Sequence, residues 1–362
     1  MIHAVVMAGG KGERFWPYSN SLHPKQLLPL VTQQSMLEDT LKNIRSFSKT
    51  APVRLVVSKN LEKPVKAKTK GMSRVLTLAE PQGRNTAAAV ALAARLIMRE
   101  DPKGVMLVLT ADHAIRPPKE FARAMKAAAQ VASDGNCLVT FGIQPTRSDV
   151  GFGYVESKGD SRIKPDKKDL KILEVAGFHE KPSAEKAKQY VDSGKFFWNS
   201  GMFAWRVDYL WQQFQKHMPQ TAKAFEAAGD LDPRKASFKI KLKRIYASIP
   251  DISIDYGILE KAERIRMVIP EFKWDDIGAW SSLDRLHAAD AKGNRAIGET
   301  LQLESEGTTC FSDEGIVCTF GVKDLLVVQH GGVTLVVPKT HSARLKDLVK
   351  QVQANPKWKK YL

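Results

Sequence analysis

Cysteine is scarce in this chain: Cys137, Cys310 and Cys318 are the three in 362 residues. An odd number without metal-ligand spacing indicates neither a disulfide framework nor a zinc centre, and it suits a reducing compartment. Long apolar runs are also missing. No stretch approaches the roughly 20 apolar residues of a membrane span, and the apolar run at the N-terminus is too short for a secretory leader. The expectation is a cytoplasmic protein with no membrane span. Acidic charge is the third deficit, with 39 Asp and Glu against 56 Lys and Arg and a net charge of +17. That balance favours anionic partners without choosing among them. The basic residues are spread over Lys63 to Lys70, Lys164 to Lys171, Lys235 to Arg244 and Lys357 to Lys360. These read either as solvated surface or as a nucleic-acid stripe, but no recognised RNA or DNA module accompanies them, so no nucleic-acid partner is expected.

What is present is a chain with 43% hydrophobic residues, enough for one large α/β domain and a smaller unit. Its first thirty residues organise the rest. Ile2 to Met7 reads as a short strand running into Ala8-Gly9-Gly10-Lys11-Gly12-Glu13-Arg14. Glycines just past a strand end let backbone N–H groups meet phosphate oxygens, and Arg14 and Lys25 supply fixed positive charge in the same connection. An ordinary glycine turn with two solvated cations is the alternative. A Walker loop is excluded because Glu13 and Arg14 follow Gly12, and a dinucleotide fingerprint because Phe15 stands where its third glycine belongs.

Further runs at Val53–Val57, Val75–Leu78, Val105–Leu109 and Leu138–Phe141 alternate with helical patterns over Thr86–Arg99 and Lys119–Ser133. This implies an α/β fold with a doubly wound, mostly parallel Rossmann-like sheet and ligands outside the carboxyl ends of its strands. Glu80-Pro81-Gln82-Gly83-Arg84-Asn85 follows Val75–Leu78, with Asn85 placed to cap a helix. Asp112 and His113 follow Val105–Leu109, where an acid can be a magnesium ligand or a turn residue bonding its own backbone.

Taken with Phe15-Trp16-Pro17-Tyr18-Ser19 and Pro24-Lys25-Gln26, the glycine loop resembles that of the sugar nucleotidyltransferases, and in detail the mannose-1-phosphate guanylyltransferases. The resemblance continues through Phe141 to Arg147, Gly151-Phe152-Gly153-Tyr154, Phe178-His179-Glu180-Lys181-Pro182, Trp198-Asn199-Ser200-Gly201, Ser253-Ile254-Asp255-Tyr256 and Trp274-Asp275-Asp276-Ile277-Gly278. It implies nucleotide contacts from Ala8, Gly9, Gly10, Gly12, Glu80, Gly83, Asn85 and Asp112, with Glu80 reading guanine. It implies sugar contacts from Gly153, Glu180, Asn199 and Asp255, catalytic cations at Arg14, Lys25 and Lys181, and Mg²⁺ on Asp112 and Asp276. Without the family, Gly153 reads as a bulge, Glu180 and Asn199 as caps of an aromatic cluster, and Asp255 as an acid in a serine-capped first turn. Asn20, Ala88 and Gln329-His330 depart from the family pattern.

The resemblance implies transfer of GMP from GTP to α-D-mannose 1-phosphate, giving GDP-mannose and pyrophosphate, with a homodimer left open. Residues 1–293 would form the nucleotidyltransferase domain. Residues 294–362, where short β-rich runs precede a terminal helix, would form a left-handed β-helix-like segment. Longer bacterial members carry a phosphomannose isomerase domain, which this chain is expected to lack. The competing expectations are a guanylyltransferase for a glucose or heptose 1-phosphate, a sugar-nucleotide sensor without turnover, and a basic RNA-associated protein.

Overall fold

The computed structural model describes residues 1–10, 12–20, 23–159 and 170–362, so Lys11 and most of the basic run Lys164 to Lys171 lie outside the described residues. The chain forms two compact units, neither of them one stretch of sequence. The first comprises Met1–Gly9, Thr40–Ala111 and Ile115–Trp274; the second comprises Gly10–Asp39, Asp112–Ala114 and Asp275–Leu362.

Apolar, β-branched runs make the strands β1 (Ile2–Met7), β2 (Val53–Ser58), β3 (Val75–Glu80), β4 (Val105–Thr110), β5 (Ala114–Arg116) and β6 (Leu138–Ile143). They are followed by β7 (Tyr154–Ser157), β8 (Lys171–His179), β9 (Phe196–Arg206), β10 (Ile265–Ile269) and β11 (Lys273–Asp275). Nine of these form one sheet in the order β3-β2-β1-β4-β9-β6-β10-β8-β7, while β5 and β11 make a separate ribbon. β1 pairs parallel with β2 and β4, β2 with β3, and β6 with β10. β9 runs antiparallel to β4 and β6, and β8 antiparallel to β10 and β7. Strand directions through the ladder therefore set only β8 and β9 against the rest of the nine. The mostly parallel sheet is present, with two reversed strands whose direction a hydrophobic run does not encode.

The helices of the first unit begin in α1 (Met36–Phe47) and continue with α2 (Glu62–Lys68), α3 (Asn85–Glu100), α4 (Pro118–Ser133) and α5 (Ala184–Ser193). After them come α6 (Val207–His217), α7 (Pro219–Ala227) and α8 (Ser237–Ser248). α3 is buried without a break from Ala87 to Ala94, and its alanines let it lie close to the sheet, α6 and α7. Ala88, where the family pattern has proline, belongs to that buried run and keeps its backbone N–H in the helix. No helix among the described residues is long and apolar enough to cross a membrane.

The second unit holds α9 (Leu283–Leu286), β12 (Arg295–Ile297), β13 (Thr300–Leu303), β14 (Thr309–Ser312), β15 (Val317–Phe320), β16 (Leu325–His330), β17 (Val333–Pro338) and α10 (Leu345–Ala354). β12, β14 and β16 stack in parallel, β13 and β15 form a second parallel pair, and β17 closes antiparallel on β16. β12 and β13 are too short and too polar to be seen among the β-rich runs of the sequence. Phe15, Trp16 and Tyr18 are buried here with Trp280, Phe311, Leu335 and Val352. Tyr18 lies 4.5 Å from Phe311 between ring centroids, and Trp280 Nε1 donates to the Trp16 carbonyl at 3.1 Å. The aromatic half of the glycine-loop signature is thus core. His330, one of the departures, packs edge-on against Tyr18 at 5.0 Å and bonds Asp313 at 2.6 Å.

Candidate active site

The proposed residues fall into three groups. In the second unit, a cavity of ≈470 Å³ is lined by Gly10, Gly12, Arg14, Phe15, Lys25, Gln26, Asp112, His113, Asp276, Gly278 and Lys346. Lys25 is its centre. Only 6% exposed, its Nζ donates to Asp112 Oδ2 at 2.9 Å and to the Asp276 carbonyl at 2.8 Å. A buried ammonium is stable only with partners of this kind. Burial works against an ionised Asp112, yet the Lys25 and His113 charges and the Lys25 hydrogen bond hold its carboxyl below the usual range. Burial raises the Asp276 carboxyl, with Lys25 opposing, and drives the His113 imidazole down to about 4 against the pull of Asp112.

Local backbone geometry fixes this group. Gly12 has φ +67°, and a Cβ there would meet Lys25 Cβ at 2.6 Å, so only glycine fits the turn that seats Lys25. Ile277 is β-branched and buried, yet stands at φ 45°, held by its N–H to Asp275 Oδ1 at 2.9 Å. Strain of about 1–3 kcal/mol at such a residue persists only where its surroundings over-determine it. Here it aims the neighbouring Asp276, whose Oδ1 also accepts from the Gly278 N–H at 3.2 Å. Asn20, where the family pattern has arginine, accepts from the His23 N–H at 2.8 Å. Lys346, from α10, was missed in the sequence because it is one more lysine in a basic terminal helix.

The second group belongs to the first unit. Glu80, 9% exposed at the end of β3, accepts from the Tyr246 hydroxyl at 3.1 Å, and burial raises its carboxyl to about 7 with Tyr246 opposing. Gly9 lies beside it, a Cβ there falling 3.8 Å from Glu80 Oε2. The N–H of Ala8 continues the strand ladder, donating to the Val56 carbonyl at 2.8 Å. One expectation needs correction. Asn85 is at φ 58°, and its Oδ1 accepts from the adjacent Thr86 N–H at 2.9 Å instead of capping α3 two or three residues on. Gly83 is exposed, with open space beside its Cα.

The third group is also in the first unit and brings together all four proposed sugar residues. Asn199 Nδ2 donates to Asp255 Oδ1 at 2.8 Å, and the Asn199 N–H donates to the Gly153 carbonyl at 2.8 Å. A Cβ on Gly153 would sit 2.3 Å from Glu180 Oε2, so the glycine makes room for that carboxylate. Burial raises both Glu180 and Asp255; for Glu180 the proximity of Asp255 adds to it, and for Asp255 the Asn199 hydrogen bond opposes it. Lys181 stands at φ 46°, largely exposed, with Nζ 3.9 Å from Glu180 Oε1. Arg147 lies over Trp198 at 4.9 Å and Phe152 at 5.6 Å, a cation–aromatic wall in which sequence reading gave neither Arg147 nor Trp198 a role. Ser253 Oγ accepts from the Tyr256 N–H at 3.3 Å, the expected cap, but the turn it opens, Asp255–Leu259, is a π-helix.

Among the described residues no group of three or more His, Cys, Asp or Glu is placed to hold a metal ion. Mg²⁺ does not need one, since one or two carboxylates suffice when phosphate oxygens and water complete its shell. Asp112 and Asp276 on one cavity meet that requirement.

The chain matches known proteins along nearly its whole length. A nucleotidyl transferase family model matches residues 3–293, and one for the MannoseP isomerase/GMP-like beta-helix domain matches residues 298–352. The chain is 35% identical over 360 residues to the mannose-1-phosphate guanylyltransferase of Escherichia coli (strain K12), covering 98% of this chain and 74% of that protein. It is 34% identical over 353 residues to the xanthan biosynthesis protein XanB of Xanthomonas campestris pv. campestris (strain B100), covering 97% and 73%. Among solved structures, a Thermus thermophilus protein described as mannose-1-phosphate geranyltransferase superposes with a TM-score of 0.84 at 33% identity, covering 97% of this chain and 99% of that one. A Helicobacter pylori mannose-6-phosphate isomerase superposes with a TM-score of 0.61 at 27% identity, covering 76% and 100%.

Proposed function

The chain belongs to the nucleotidyl transferase family, and from that premise we propose that it transfers GMP from GTP to α-D-mannose 1-phosphate. The sugar phosphate has a second pKa near ~6, so at neutral pH it is mostly a dianion and needs no general base. One of its phosphate oxygens attacks the α-phosphorus of GTP, the bond to the β-phosphate breaks, and pyrophosphate leaves with the electron pair. The barrier is the approach of two polyanions and the charge that develops in line, which positioned cations and amides lower. Arg14 and the amides of Gly9 and Gly10 hold the leaving pyrophosphate, with Lys346 as a further cation. Lys25 and Lys181 neutralise the α-phosphate and the incoming phosphate. Mg²⁺ would be held by Asp112 and Asp276, where it supplies charge neutralisation for the phosphates. Glu80 accepts from guanine N1–H and its 2-amino group, a donor pair that adenine lacks. Glu180, Asn199 and Asp255 bind sugar hydroxyls, with Gly153 leaving room for the Glu180 carboxylate. The reaction belongs in the cytoplasm, where GTP is plentiful. Residues 1–293 carry every transferase contact but that of Lys346, and 294–362 form the β-helix-like segment.

The observation that carries this reading is Lys25, buried between Asp112 and the Asp276 backbone in a cavity that also holds Arg14 and Lys346. Two acids and three cations on one cavity suit a polyphosphate. The test is pyrophosphate release with Mg²⁺ across GTP, ATP, UTP and dTTP against mannose, glucose and heptose 1-phosphates. Turnover confined to GTP with mannose 1-phosphate supports the proposal. Turnover with another sugar moves the sugar specificity, and a blank grid sinks the transfer.

A further inference from the structure

α8 ends at Ser248, so the carbonyl of Tyr246 is among the last four, which no residue of the helix can satisfy. That carbonyl accepts from Gln82 Nε2 at 2.6 Å and from Arg84 Nε at 2.9 Å. The guanidinium of Arg84 also meets the negative end of the α8 dipole. At the other end of the same residue, the hydroxyl donates to Glu80 Oε1 at 3.1 Å. One fully buried tyrosine therefore takes or gives three hydrogen bonds to a single loop, across 162 to 166 residues of sequence. A buried tyrosine hydroxyl needs a partner, but its backbone does not need to share that partner's loop.

We propose that Tyr246 is a positioning residue that sets the nucleobase selectivity of the transfer by fixing the Glu80 carboxylate and the loop that follows it. The inference rests on the reading of Glu80 as the residue that meets guanine. Oε1 is committed to Tyr246, which locks the carboxylate's rotation and leaves Oε2 and the second lone pair of Oε1 to the base. Among the described residues, the titratable group that shifts the Glu80 carboxyl is the Tyr246 hydroxyl from α8, and past the end of β1 the backbone of Gly9 lies beside it. Burial and that single donor pull the carboxyl in opposite directions. Removing the donor raises the carboxyl further, so more of it is protonated at neutral pH and fewer molecules present the double acceptor.

Tyr246→Phe keeps the ring and removes the hydroxyl. Steady-state kinetics with GTP and ATP should show the GTP KM rising about tenfold, as expected for a lost hydrogen bond to a charged group, and the GTP-over-ATP preference falling by a similar factor. The kcat and the KM for mannose 1-phosphate should stay within about twofold. The pH at which kcat/KM for GTP reaches half its maximum should move upward. An unchanged GTP KM and pH profile overturn the inference. Should Tyr246→Phe fail to fold, Gln82→Ala, on an exposed side chain, tests the same anchorage. A GTP KM raised about threefold with an unchanged Tm supports it, and a wild-type KM overturns it. Glu80→Gln separates the two layers. If it keeps the full GTP preference, the base-reading role fails and this inference with it. If it loses the preference while Tyr246→Phe does not, only the role of Tyr246 fails.

Discussion

Asp112 in the second unit is held in the opposite way to the buried acids of the first. In the second unit, Asp112 is bonded to a buried lysine and kept ionised, in a cavity shared with Asp276, Arg14 and Lys346. In the first, burial pushes Glu80, Glu180 and Asp255 upward; Glu80 is bonded to a hydroxyl and Asp255 to an amide, and the Lys181 ammonium near Glu180 is largely exposed. Charged acids beside cations suit phosphates and a metal. Acids poised among neutral donors suit a base edge and sugar hydroxyls, which carry no charge to neutralise. The contrast teaches that one residue type serves two recognition tasks according to whether a cation is built in beside it.

The sharpest way to break the comparison is to remove the built-in cation. Lys25→Ala, and likewise Asp276→Asn, should lower kcat by on the order of 10²- to 10³-fold, read as pyrophosphate release. Near-wild-type turnover would take that residue out of the site. Gly12→Ala should approach the same loss without touching a charge, because its Cβ collides with Lys25 and its φ of +67° is strained for alanine. Retained activity there would show that the turn does not seat Lys25.

On the neutral side the effects are smaller and selective. Asn199→Ala should raise the KM for mannose 1-phosphate about tenfold and leave that for GTP unchanged, since it removes a donor from Asp255 alone. A change in the GTP KM would place Asn199 in the nucleotide site. The last prediction concerns stability. Glu80 titrates at about 7 in the fold and near 4.5 unfolded, so its favourable contribution is complete below about pH 4.5 and is lost as pH rises through about 7. Glu80→Gln should therefore melt higher than the wild type above pH 7, by a few kcal/mol at most, and the difference should vanish toward pH 4.5. A difference independent of pH would show that burial does not raise this carboxyl.

Much of this was legible in the sequence because it is local. The glycine turn, the acid after β4 and the Pro24-Lys25-Gln26 peptide are short-range patterns whose residue types state their chemistry. The proposed sugar residues Gly153, Glu180, Asn199 and Asp255 could be named but not assembled, because their meeting depends on β7 pairing with both β8 and β9 and on a turn 56 residues beyond Asn199. Tyr246 was invisible. In Lys-Arg-Ile-Tyr-Ala-Ser it reads as a core aromatic, and only folding brings it to a loop 166 residues earlier. The Phe15 to Tyr18 signature was legible as a signature but not as core, since its partners Trp280 and Phe311 come 265 and 293 residues later.

That shared core bears on how the chain can be cut, fused or recombined. A fragment ending at residue 293 would retain every proposed contact residue except Lys346, and its sequence would still match the transferase model. It would nevertheless lose Phe311, Leu326, Val328, Leu335, Leu345 and Val352, against which Phe15, Trp16 and Trp280 are buried. The turn that carries Arg14 and Lys25 would be left holding bare aromatic surface. Insertions and fusions are better tolerated at exposed turns such as Gly331-Gly332, while the β-helix segment and the glycine loop share one core.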